Sequence, residues 1–340
     1  MMPSKISDIG EKLLIKRLLS KSKNPRYNSF LDYNSIKSLS DDAALINIGD
    51  HYLVACSDML LQSTHFPKEM DFYQIGKKIV TVNVSDLAAM GAEAIGIIIS
   101  MGLPKNMLLT DFDDLIDGIL DNCNKYEMAL IGGDTNESSQ LTLTGTCLGI
   151  VKKKNVMMKT GIHPGDIVAV TGPLGLAAAG FITLLNPCHD ISHLKENVIN
   201  LVKKHALEPE AKLKEGIILA KTNSTSSATD ITDGLFSELG ELIDANNNKI
   251  GFIISQEDLP IPKEVFDIAK LTGNNAMDMA TTYGEDFELL ITIPTHLFNN
   301  LKTQISIYKI GLVDSSGEIK IIDKKGNTNI ITPQGYEHLK

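Results

Sequence analysis

The sequence predicts a mixed α and β protein of two domains. Short apolar runs of strand character alternate with amphipathic helical runs along the chain. The alternation pauses at the lysine run Lys152-Lys153-Lys154, and a second series begins at Gly161-Ile162-His163-Pro164-Gly165-Asp166. A length of 340 residues also fits two domains on the usual scale of about 150 residues each. The expected division is 1–150 and 151–340.

The first domain reads in order. Ile9–Leu19 has helical character, and Tyr52–Ser57 is a short apolar strand ending at Asp58. Asp71–Met90 is helical, with Ile75, Ile79 and Val82 on one face and Gly91 as a C-terminal stop. Gly96–Met101 is a strand and Asp111–Tyr126 a helix. Met128–Ile131 is a buried strand running into Gly132-Gly133-Asp134. In Leu141–Val151, Thr142, Thr144 and Thr146 alternate with Leu141, Leu143 and Cys147, as a half-buried strand requires.

The second domain repeats the alternation. Strands are expected at Ile167–Thr171, Ala228–Ile231, Ile250–Ile254 and Phe287–Ile293. Helices are expected at Leu176–Leu185, Ile191–His205, Pro209–Lys221, Leu235–Asn246 and Lys263–Leu271. The tail, Ile305–Asp323, reads as a two-stranded ribbon turning at Ser315-Ser316-Gly317. Ile167–Leu185 is apolar enough to raise the question of a membrane span. Gly172, Pro173 and Gly175 break it, so a strand, a turn and a buried helix explain it better.

Composition narrows the function. A net charge of −10 argues against sequence-independent nucleic-acid binding, which needs a basic face. The cysteines Cys56, Cys123, Cys147 and Cys188 show no CxxC spacing and no matching histidines. They are read as reduced thiols, three of them in the core. The N-terminal residues lack an apolar signal-peptide run, so a cytoplasmic location is expected. Arginine occurs only at Arg17 and Arg26; any other anion site must use lysine, main-chain N–H groups or metal.

The carboxylates are grouped. Asp41 and Asp42 open an apolar run, and Asp58 ends a strand. Asp134 follows paired glycines, Asp230 and Asp233 bracket Ile231-Thr232, and Glu285 and Asp286 follow Gly284. Asp86 lies one helical turn from Asn83. Any one of them alone reads as a turn or helix cap. Several converging in one cleft would repel unless divalent cations intervened, and Mg²⁺ takes carboxylates, waters and substrate phosphates. The paired glycines before Asp134 can bring main-chain N–H groups close to a phosphate. No GxxxxGK[ST] loop and no HRD or DFG set occurs, which excludes the two common phosphotransferase architectures.

Five blocks together resemble a known family. They are Gly10-Glu11 with Asp41-Asp42-Ala43-Ala44-Leu45 and Ser57-Asp58-Met59-Leu60 with His65-Phe66; Val82-Asn83-Val84-Ser85-Asp86-Leu87-Ala88-Ala89-Met90-Gly91-Ala92; Ile131-Gly132-Gly133-Asp134-Thr135; Asp230-Ile231-Thr232-Asp233-Gly234-Leu235; and Gly284-Glu285-Asp286-Phe287-Glu288-Leu289-Leu290. The chain resembles the thiamine-monophosphate kinases. Their superfamily also holds aminoimidazole ribonucleotide synthetase, selenophosphate synthetase and hydrogenase maturation proteins.

The resemblance implies an α+β synthetase-superfamily fold. N-terminal strands join those of a partner in a barrel across a homodimer, beside a C-terminal mixed-sheet α/β domain. It implies transfer of the ATP γ-phosphoryl group to thiamine monophosphate, with several Mg²⁺ ions, no nucleic-acid partner and no membrane. By position, Asp42, Ser57, Asp58, Asp86, Asp134, Asp230 and Asp233 resemble metal ligands. Gly133, Asp134, Lys159 and Thr232 fall where ATP is contacted; His65, Glu285 and Pro333 fall where thiamine phosphate is contacted. Cys56, Lys159 and Pro333 depart from the usual Ser or Thr, Arg and aromatic residue. Two other readings stay open: another ATP-dependent member of the aminoimidazole ribonucleotide synthetase type, and a non-catalytic metabolite-binding or maturation scaffold.

Overall fold

The computed structural model describes residues 6, 10–21, 41–185, 194–333 and 335–336. Cys188 and the expected helix start at Ile191 lie outside them.

After helix α1 (Gly10–Lys21), the first unit contains β1 (Ala44–Ile48), β2 (His51–Leu61), the single turn α2 (Gln62–His65) and α3 (Phe72–Ala89). It continues with β3 (Glu93–Leu103), α4 (Leu109–Lys125), β4 (Ala129–Glu137) and β5 (Thr142–Lys152). The five strands form one open sheet in the order β1-β2-β5-β3-β4, with only β3 and β4 parallel. One face is covered by α3, whose first turn is closed by a capping box between Asp71 and Gln74. Helix α4 packs against α3 backbone to backbone: a methyl at Gly118 would lie 2.0 Å from the Tyr73 carbonyl oxygen. This close approach makes α3 almost wholly buried.

The second unit contains β6 (Ile167–Val170), α5 (Leu176–Leu185), α6 (Glu196–Leu207), α7 (Leu213–Thr222), β7 (Ser227–Asp230) and α8 (Leu235–Ala245). Then come β8 (Gly251–Ser255), α9 (Lys263–Thr272), α10 (Ala276–Thr281), β9 (Leu289–Ile293) and α11 (Thr295–Leu301). It ends with β10 (Tyr308–Asp314), β11 (Ile319–Ile322) and β12 (Thr328–Ile331). Its seven strands follow the order β12-β11-β8-β10-β6-β9-β7. No helix among the described residues is long and apolar enough to cross a membrane.

Three expectations need correction. The strand ending at Asp58 continues to Leu61, because Asp58 still pairs with Gly145 of β5. The expected buried strand at Met128–Ile131 is instead an edge strand whose residues are mostly exposed, since nothing among the described residues covers its outer side. Its Gly132-Gly133-Asp134 lies within the strand and makes no turn. The tail is not a ribbon: β10 and β11 do not pair with each other, and β8 lies between them. Within this chain the five-stranded sheet is open, with no closed barrel among the described residues.

Candidate active site

The two units meet where α3 lies against α7 and β7. Alternation along β2 directs Val54, Cys56 and Leu60 inward, and Asp58 shares their face, toward α3. The main-chain N–H of Asp58 donates to Asn83 Oδ1 of α3 (3.2 Å), and Asn83 occupies space that only Gly145 leaves open. From the same helix Ser85 Oγ donates to Asp230 Oδ2 at the end of β7. Asp42 comes from the segment before β1, where its Oδ1 accepts from Thr229 Oγ1 (3.1 Å) and pairs with Lys159 Nζ (2.8 Å).

Asp42, Asp58, Asp86 and Asp230 therefore share one electrostatically linked region, with Asp230 buried and the other three half-buried. Burial first, then Asp58, Asp230 and Asp42, push the Asp86 carboxyl well above its ordinary value. Burial raises Asp58 to about 6; burial and then Asp42 raise Asp230 to about 7. Burial also raises Asp42, opposed by the Lys159 ammonium. One oxygen in this region, Asp42 Oδ2, is buried without a hydrogen-bond partner.

Four hard oxygen donors, of which Asp86 and Asp230 are raised further by their neighbours' charge, with one orphaned oxygen, fit a divalent cation such as Mg²⁺. Among the described residues no three such side chains already stand in an ion-holding arrangement. Cys56 supplies no open ligand position, since its buried thiol donates to the Asn83 carbonyl (3.2 Å).

Sequence reasoning named Lys159 and Asp41 but not the three residues that complete the cluster around them, Glu238, Glu241 and Asn246. Lys159 is buried, and its ammonium is shared between Asp42 and Glu241 Oε2 (2.8 Å) of α8. Burial disfavours this ammonium, but Asp42, Glu241 and Glu238 outweigh it and hold its pKa well above the ordinary value. Asp41 accepts the Lys159 main-chain N–H (3.1 Å), and Asn246 donates to the Lys159 carbonyl (2.9 Å). Glu238, buried on α8, accepts from the Asp233 N–H (3.2 Å). Glu238 and Glu241, three residues apart on a helix, were legible only as a polar helix face.

The predicted ligand set is split between two faces of the first sheet. Asp58 is in register with Gly145, Ile99 and Gly133, whereas Asp134 is in register with Ser100, Thr144 and Met59. Met59 is 57% exposed, so Asp134 belongs to the outer face. Ser57 is also directed outward, its Oγ donating to the Gly145 carbonyl (2.9 Å). Asp134 and the Ser57 hydroxyl thus do not join the four inner carboxylates of their own chain, because successive strand residues point to opposite faces.

The residues expected to contact the acceptor lie around a different part of α3. His65 Nδ1 accepts the Leu61 N–H (3.0 Å), and the His65 carbonyl accepts from Lys78 Nζ (3.1 Å). Lys78 also binds both oxygens of Glu285 (2.9 and 2.6 Å). The Glu285 N–H donates to the Thr232 carbonyl (2.9 Å), two residues beyond Asp230. Pro333 packs on α8, where a methyl at Gly240 would lie 2.6 Å from its Cβ, and the Tyr336 N–H donates to the Asp233 carbonyl (3.2 Å).

The chain matches the AIR synthase related protein N-terminal domain over residues 40–151 and the C-terminal domain over residues 163–323. Fold and site thus define an AIR synthase-related protein. The thiamine-monophosphate kinase of Pyrococcus horikoshii is 32% identical over 311 residues, covering 92% of this chain and 94% of that protein. That of Buchnera aphidicola subsp. Acyrthosiphon pisum is 37% identical over 285 residues, covering 83% and 84%. The chain belongs to the thiamine-monophosphate kinase family. A solved structure described as AaThiL complexed with AMPPCP and TMP shares the fold, with a TM-score of 0.86 at 23% identity over 99% of this chain and 100% of that one.

Proposed function

We infer that this protein transfers the γ-phosphoryl group of ATP to thiamine monophosphate, giving thiamine diphosphate and ADP. The observation that carries the reading, beside the family membership, is the cluster of four electrostatically linked carboxylates with the unpartnered Asp42 Oδ2. Asp42, Asp58, Asp86 and Asp230 are the residues that would hold Mg²⁺, and Asp233 stands beside them through Glu238. When bound, Mg²⁺ supplies charge neutralisation for the donor and acceptor phosphates.

The chain itself orients these groups. Ser85 fixes Asp230, and Lys159 fixes Asp42. Gly133, Asp134, Lys159 and Thr232 serve ATP; His65, Glu285 and Pro333 serve the acceptor. A phosphate oxygen of thiamine monophosphate attacks the γ-phosphorus in line. That oxygen is already anionic, so the chain needs no general base.

Asp134, on the outer face, enters the reading through a homodimer. That face exposes Met59, Ile98 and Ile131, and β4 is an unpaired edge among the described strands. Through such a dimer Asp134 would reach the carboxylate site of the second copy. The three described cysteines are free and buried, which agrees with a reducing, cytoplasmic setting.

A coupled assay for ADP across an acceptor panel tests the function. Turnover with thiamine monophosphate supports it. Turnover only with another acceptor favours the aminoimidazole ribonucleotide synthetase type, and none at all favours a scaffold.

A further inference from the structure

Lys78 is 1% exposed, and lysine is almost never buried to this extent without dedicated partners. It stands on α3 of the first unit. All its recorded polar contacts converge from two places: the His65 carbonyl after β2, and both carboxylate oxygens of Glu285 in the loop before β9. The ring of Phe181 on α5 closes the remaining side, its centroid 5.7 Å from the ammonium.

Glu285 is itself held in an unusual way. Its φ is 70°, a left-handed backbone uncommon for a residue with a side chain. The preceding Gly284 presses so closely on the Thr232 carbonyl that a methyl there would lie 1.8 Å from its oxygen. The loop is thereby locked to the segment after Asp230. Lys78 and Ser85 are seven residues apart on α3, about two helical turns. They grip this locked pair of segments at two points, Glu285 and Asp230. The Glu285 side chain remains 28% exposed, so one edge of it reaches solvent.

We propose that Lys78 is a positioning residue for the phosphate acceptor: its ammonium fastens the Glu285 carboxylate to the His65 main chain, so that two acceptor-side groups from different units hold one fixed geometry. The proposal rests on the reading that His65 and Glu285 face thiamine monophosphate. A purely structural tie between the units would act differently. Its loss would lower stability and disturb both substrates alike, because the carboxylate site also spans the units.

The test is steady-state kinetics of the full-length wild type, Lys78→Met and Lys78→Arg, with each substrate varied in turn and folding checked by thermal melting. Lys78→Met removes the charge with little loss of volume and is expected to raise KM for thiamine monophosphate by about tenfold or more, with KM for ATP within about twofold. Lys78→Arg keeps the buried charge but displaces the carboxylate, so it is expected to show the same split at a few-fold size. Wild-type acceptor KM in a folded variant, or equal rises for both substrates, overturns the proposal. If Lys78→Met does not fold, Lys78→Arg decides; if neither folds, the pair is structural and the proposal falls. Absence of wild-type turnover with thiamine monophosphate overturns the functional reading as well, and is seen before any variant is compared.

Discussion

Lys159 Nζ lies 2.8 Å from Asp42 Oδ1 and 2.8 Å from Glu241 Oε2, so one buried ammonium is shared by carboxylates from the two units. Lys159→Ala leaves Asp42 buried without its counter-charge. Losing one charge-assisted contact costs about 1.5–3 kcal/mol, roughly 10- to 150-fold in kcat/KM for ATP. Lys159→Arg keeps the charge and is expected to preserve most activity. Thiamine monophosphate binding measured by calorimetry without nucleotide is expected to be unchanged in both. A silent Lys159→Ala contradicts this assignment; a loss confined to acceptor binding reverses the two ends of the cleft.

The four inner carboxylates oppose one another in the absence of a cation. Asp58→Asn and Asp86→Asn are therefore expected to abolish turnover while leaving the melting temperature of the metal-free protein unchanged or higher. Near-normal kcat in either variant at saturating Mg²⁺ would remove that residue from the ligand set.

The same carboxyls predict a pH dependence. Asp58 and Asp230 move from an ordinary 3.8 to about 6 and about 7 in the folded chain. Between those values the folded state binds more protons than the unfolded state, so stability falls as pH rises through the window. The metal-free protein is expected to melt at a higher temperature at pH 5 than at pH 8, as far as these groups decide it. Added Mg²⁺ is expected to raise the melting temperature more at pH 8, where the ligands are deprotonated. Equal Mg²⁺ effects at both pH values would argue against carboxylate ligation.

Much of this was legible from residue order. The alternation gave the two mixed units, and the Asp-rich blocks with the Gly-Glu-Asp-Phe-Glu-Leu segment marked the candidate site. What was not legible depended on which face a residue takes in the assembled sheet. Asp58 and Asp134 look alike in sequence, yet the register sends them to opposite faces. Lys78 reads as one of several polar residues on α3, next to Lys77; its burial follows only from the approach of Glu285, distant in sequence. The insertion of β8 between β10 and β11 is a long-range pairing that no local turn signal encodes. The exposure of β4 belongs to sheet order, because its apolar residues suit a buried strand equally well.

The outer-face position of Asp134 predicts complementation. Asp58→Asn and Asp134→Asn are each expected to be inactive, whereas mixed dimers of the two variants are expected to regain part of the wild-type activity. In such a dimer one site receives Asp58 and Asp134 intact from different copies. Sedimentation showing only monomer at micromolar concentration, or mixed dimers as inactive as the parents, contradicts this arrangement.

Transfer of the phosphoryl group itself is followed most directly with ATP labelled in its γ-phosphate. Incubated with the wild-type protein, Mg²⁺ and thiamine monophosphate, the label is expected in thiamine diphosphate, one labelled product for each ADP formed, with none retained on the protein. Label released as inorganic phosphate, left on the protein, or carried only to a different acceptor would contradict direct transfer to thiamine monophosphate.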